Sequence, residues 1–130
     1  MTIIARSAGD SGALFDLSGT ISNNATWDEL IYFTEAGVGM VLTGLTFRLQ
    51  FREHPSDTSA ALDLTTTDGE LVIANDDAGL PTILRINVAY TVISGLEGDY
   101  IADLVSKDAD DKLTHWASGV VTFKQSPIAF

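Results

Sequence analysis

Between Leu45 and Arg52 the chain reads L-T-F-R-L-Q-F-R, with a large apolar residue at every second position: Leu45, Phe47, Leu49 and Phe51. Thr46, Arg48, Gln50 and Arg52 stand between them. Strand side chains point alternately to opposite faces, whereas a helix needs apolar spacings of three and four. The segment is therefore a strand with one dry face and one wet face, and the dry face needs a second layer to cover it.

The same alternation recurs along the chain. Ala61–Thr65, Leu84–Val88 and Tyr100–Leu104 each place apolar residues two apart, Glu29–Phe33 reads as a buried strand, and Glu70–Ala74 as a short one. A last strand spans about Thr114 to Lys124. His54-Pro55-Ser56-Asp57, Thr67-Asp68-Gly69, Asn75 to Pro81 and Lys107 to Lys112 supply turns and loops. Val92 to Gly98 reads as a short irregular or helical crossing. Roughly seven to nine short strands at intervals of about ten residues predict an all-β sandwich or barrel. With 130 residues, the chain is the size of one ordinary domain. Residues 1–25, rich in glycine and polar residues, are expected to be an N-terminal arm or edge strand, and residues 26–130 the sandwich itself.

Charge narrows the partners. Seven Lys and Arg face eighteen Asp and Glu, a formal charge of −11. Such a chain repels nucleic-acid phosphates and anionic lipid. The acids are scattered, as on a folded surface rather than a tail. No cysteine is present, so neither disulfides nor thiolate zinc sites are available. The apolar stretches fall far short of the ~20 residues that span a bilayer, and the first ten residues carry no secretory signal pattern.

Chemical motifs are sparse. Asp108-Ala109-Asp110-Asp111 and Asn75-Asp76-Asp77 offer oxygen ligands, but lack the turn glycine and distal glutamate of an EF-hand loop, and read as solvated tips. His54 and His115 sit in no ligand pattern. There is no G-x-S-x-G, no H-E-x-x-H and no phosphate-cradling loop. Neither enzymatic activity nor a cofactor is expected. Leu96-Glu97-Gly98-Asp99-Tyr100 resembles a tyrosine corner, a structural device of sandwich folds.

The ordered set of a strand ending L-T-G, F-R-L-Q-F-R, P-S-D-T, L-D-L-T-T-T-D-G-E-L-V-I, I-L-R-I-N-V, L-E-G-D-Y-I-A-D-L and W-A-S-G-V-V-T-F, from Trp27 to Gln125, resembles a group of small bacteriophage and prophage virion proteins. The likeness is greatest to the domain at the N-terminus of phage baseplate upper proteins. That resemblance implies an immunoglobulin-like antiparallel sandwich and a structural role in the virion, assembled in the bacterial host cytoplasm. Its partners would be other virion proteins and copies of itself, without nucleic acid or membrane. A carbohydrate- or receptor-binding module, engaging a host-surface glycan through exposed Trp27, Trp116 or Tyr90, is the alternative. The expected contact residues are Trp27 and Trp116 as aromatic anchors, Arg48 and Arg52 on the wet face, and Ile128 and Phe130 in the apolar C-terminus. Trp116 is opposite in phase to Val121 and Phe123, which would turn it outward as an interface anchor; a core or edge-packing position is the other reading.

Overall fold

The computed structural model describes residues 2–6, 15–35 and 38–125. They form two sheets. The first runs in the order β1 (Thr2–Arg6), β4 (Trp27–Glu35), β9 (Ile83–Val88), β8 (Leu71–Ala74), with β5 (Val38–Gly39) folded back on the end of β4. The second begins with β2 (Phe15–Asp16) and β3 (Gly19–Ser22), which both pair with β11 (Leu113–Lys124). It continues through β10 (Gly98–Lys107), β6 (Thr46–Arg52) and β7 (Leu62–Thr65). A single helical turn, α1 (Tyr90–Ile93), carries the chain from β9 across to β10. The strands β4, β9 and β8 on one side and β6, β10 and β11 on the other divide as in the immunoglobulin sandwich. The fold is an all-β, immunoglobulin-like sandwich.

Alternation places the core as expected. On β6, Phe47, Leu49 and Phe51 are buried while Thr46 and Arg48 are exposed. From the opposite sheet, Trp27, Ile31 and Phe33 on β4 and Leu84, Ile86 and Val88 on β9 meet them. The sheets are joined by tilted and edge-on rings: Phe33 on Trp116 at 5.2 Å and 85°, Phe33 on Phe47 at 5.5 Å, Trp27 on Phe51 at 5.8 Å and Trp27 on Phe123 at 6.1 Å. Such contacts each add about 0.5–1.5 kcal/mol beyond the burial of their area. Tyr100 is buried against Phe123 at 5.6 Å.

Trp116 corrects the sequence expectation. It is 6 % exposed and faces the core. On β10, Leu104 pairs with Ala117 and the next residue, Val105, pairs with His115, so Trp116 is an additional residue in β11. This β-bulge turns two successive side chains, Trp116 and Ala117, to the same side and reverses the phase of everything beyond it. The indole Nε1 donates to Ser106 Oγ at 2.7 Å, giving a buried hydroxyl its partner.

The described part of the N-terminal region is integral to the sheets. β1 lies parallel to β4, from Thr2 beside Leu30 to Arg6 beside Thr34. β2 and β3 lie parallel to β11 in one continuous register, interrupted at Leu17 and Ser18. These two edges are parallel, a departure from the purely antiparallel sandwich. The interruption lies against Gly119, where a Cβ atom would stand 2.5 Å from Ser18 N and 2.9 Å from Leu17 N. Leu17 N donates to Ser118 O and Val120 N to Ser18 Oγ, both at 3.0 Å, and Leu17 and Ile21 are buried. At the end of β3, Asn23 Nδ2 donates to Leu96 O at 2.7 Å.

The Asp68-Gly69 turn forms with Gly69 at φ +86°, but it is not a hairpin. It carries the chain from β7 in the second sheet to β8 in the first.

Candidate binding surfaces

The wet face of β6 forms part of a groove of about 650 Å³ on the outer side of the second sheet. Its cations are Arg48 and Lys107, its acids Asp63 and Asp68, and Leu113 stands beside them, 67 % exposed. Arg48 Nε is 3.4 Å from Asp63 Oδ1 on neighbouring β7, with both side chains largely in solvent. Lys107 Nζ is 3.5 Å from Asp111. Exposed pairs of this kind contribute about 0–1 kcal/mol and can exchange partners at little cost.

Arg52 does not line this groove. Its Nη2 donates to Gln50 Oε1 at 2.8 Å and its Nε to Asp57 O at 3.2 Å, which ties the following loop to the strand. Trp27 and Trp116, expected as contact anchors, belong to the core: they are 7 % and 6 % exposed. Burial of both indoles removes them as platforms for a sugar ring. Tyr90 is exposed, but on α1 and not in the groove. Ile128 and Phe130 lie outside the described residues.

The acidic loops are organised by their own backbone. Asp76 Oδ1 accepts from Ala78 N and Leu80 N at 2.9 and 3.0 Å, and Oδ2 from Thr82 Oγ1 at 2.8 Å. The Leu80 amide first, and then the Thr82 hydroxyl, hold its carboxyl below the usual aspartate value. Asp108 Oδ1 accepts from Asp110 N and Lys112 N, both at 2.9 Å, and Asp111 takes φ 63° at the tip. Among the described residues, no three acidic or histidine side chains converge to hold a metal ion. Asp28 makes a bidentate pair with Arg85 at 2.9 and 2.8 Å, which lowers the carboxyl pKa.

His115, Asp103 and Ser118 meet on the outer face of β10 and β11. Asp103 Oδ1 lies 2.9 Å from His115 Nε2 and accepts from Ser118 Oγ at 2.9 Å. The hydroxyl is bound to the carboxylate rather than to the imidazole, which is not the nucleophile–base contact of serine catalysis.

Glu29 was not singled out in the sequence, although its signal was present. Counting back by twos from Phe33 and Ile31 turns residue 29 inward, and the structure buries it at 2 % exposure. Trp27 Nε1 approaches its Oε1 at 3.4 Å. Burial raises its carboxyl pKa, and the weak indole bond opposes that only in part. Glu29 lines an interior cavity of about 180 Å³ between the sheets.

No protein-family model matches the chain, and no curated protein does. Among solved structures, the bradyzoite-specific antigen BSR4 of Toxoplasma gondii aligns with 93 % of this chain and 47 % of its own, so this chain spans about half its length. The identity is 8 % and the TM-score 0.35. A likeness at that level carries no argument about function.

Proposed function

We propose that the chain is a structural protein of a tailed-bacteriophage virion, a non-enzymatic assembly or adaptor module that works through protein–protein contacts. The resemblance of its strand motifs to small phage virion proteins motivates this reading, with the baseplate, tail-fibre attachment, neck or capsid exterior as places in the particle. The observation that carries it is the groove on the outer face of the second sheet. There a chain of net charge −11 exposes Arg48 and Lys107 beside apolar Leu113. A mixed, partly apolar patch with displaceable ion pairs suits a protein partner that brings its own carboxylates.

The test uses particles purified from cells carrying the gene, analysed by mass spectrometry, with Arg48→Glu compared against wild type. The chain is expected in the particles at a fixed ratio to other virion proteins. Arg48→Glu is expected to reduce its incorporation severalfold while unfolding stability stays within about 0.5 kcal/mol, as for other exposed positions. Absence of the chain from the particles refutes the role. Equal loss of incorporation and stability refutes the groove as the contact.

A further inference from the structure

The two sheets do not close on each other behind β3. The cavity there is walled by Leu17, Ile21, Trp27, Leu49, Phe51 and Val121, with Ala102 contributing no more than a methyl group. Its lining also includes Asp16, Ser18 and Thr20, which are exposed, so the space communicates with solvent at the break between β2 and β3. The buried acid among these walls is Glu29.

This is an expensive way to build a core. A leucine at position 29 would keep the wall apolar and avoid removing a carboxylate from water. An ionised carboxylate can accept about four hydrogen bonds. Trp27 offers Glu29 one, at 3.4 Å, beyond the ordinary N–H···O range. Buried charge is tolerated when it is paired, and an accessible cavity beside an underpaired carboxylate is a place for the pairing group to enter.

The geometry points to a binding site for a small primary amine with an apolar body, its ammonium on Glu29 and its hydrocarbon part against Trp27, Leu49 and Phe51. Size limits the class. A cavity of about 150 Å³ takes up benzene, so about 180 Å³ accommodates a single ring or a short branched chain bearing one ammonium group. Asp16 at the mouth and the net negative charge favour entry of a cation. The site is independent of the groove and of any role in a particle.

The test is titration of the full-length, 15N-labelled chain at pH 7 with benzylamine, benzyl alcohol and toluene, followed by amide NMR. Benzylamine is expected to saturate, to shift the amides of Leu17, Ile21, Leu49 and Ala102, and to bind about tenfold or more tightly than the alcohol, the scale of a charged hydrogen bond. Glu29→Gln is expected to keep the fold and erase that preference. Ala102→Val, which narrows the cavity without touching the carboxyl, is expected to weaken the binding. No saturable shift with benzylamine overturns the proposal, because the cavity then holds only water. Equal binding of the three probes reduces it to an unselective apolar hole and also overturns it. Benzylamine shifts confined to the surface loops and unaffected by Glu29→Gln would show bulk attraction to an acidic protein, with the same consequence.

Discussion

Replacing Gly119 by alanine tests how firmly the N-terminal strands belong to the sandwich. At an unhindered position, Gly→Ala stabilises by about 0.4–1 kcal/mol, because it restricts the unfolded chain. Here the new Cβ would lie 2.5 Å from Ser18 N and 2.9 Å from Leu17 N, both backbone atoms that cannot rotate away. Restoring an ordinary contact moves the Leu17–Ser18 segment off β11 by about 1 Å. That stretches the bonds Leu17 N to Ser118 O and Val120 N to Ser18 Oγ, each worth about 1 kcal/mol net. It also re-exposes part of Leu17, whose full burial contributes about 1.5–3 kcal/mol. The expected net loss is about 2–4 kcal/mol, read as a urea midpoint lowered by about 1–2 M for a domain of this size. Hydrogen exchange should accelerate first at Leu17 and Val120. Gly19→Ala is the control: it lies on β3, its added Cβ meets nothing within 4 Å, and it should be neutral or stabilising. If Gly119→Ala stabilises as Gly19→Ala does, residues 15–22 are not docked on β11 and the edge strand is refuted.

Glu29 has a folded-state pKa above its ordinary 4.5, so its protonated form favours the folded chain and stability is lost as pH rises from 4.5 through the folded value. Glu29→Gln should therefore be more stable than wild type at pH 8, with the gap closing toward pH 4; a gap independent of pH in urea titrations would contradict the burial. Asp76 carries the opposite sign, its pKa being lowered, so the stability it contributes is present above pH 3.8 and is lost in more acidic solution. Asp76→Ala should accordingly lower the melting temperature at pH 7 and have little effect at pH 2, and a deficit that persists at pH 2 would show that its hydrogen bonds are not the cause. Both tryptophans are buried, so emission should be blue-shifted and poorly quenched by iodide. Trp116→Phe should cost about 1–3 kcal/mol by leaving the buried Ser106 hydroxyl unpaired, a loss that Trp116→Phe/Ser106→Ala should largely recover.

The parts of the fold that were legible in the sequence are those written in local periodicity. Phe47, Leu49 and Phe51 announce both the strand and its buried face, and the strands around Leu64, Leu84 and Tyr100 follow by the same reasoning. Trp116 failed because period two assumes an unbroken ladder, and the bulge is set by how β10 and β11 pair rather than by residues 113–124 alone. Asp68-Gly69 was legible as a turn, yet nothing local says that it leads into the other sheet. Residues 15–22 do alternate, Phe15, Leu17 and Ile21 against Asp16, Ser18, Thr20 and Ser22, but Gly19 breaks the apolar series and nothing local names β11, nearly the whole chain away, as the strand they pair with. Of the groove, Arg48 was legible as outward-facing. Its juxtaposition with Lys107 and Asp63 required the pairing of β6 with β10 and β7.

That distant pairing has a kinetic consequence. β2 and β3 are synthesised before the rest of their sheet, and β11 after it. Leu17 and Ile21 must therefore wait, without the neighbours that bury them, until β11 is released. Loop closure on this scale opposes early docking, and such non-local strand pairing is slow. In the interval the long outer margin of β11 is an open template for any extended segment nearby, including the same region of a second nascent chain. A chain shortened past Ser22 would remain in that condition permanently. Its expected failure is intermolecular strand exchange and aggregation during expression rather than a simple loss of thermal stability.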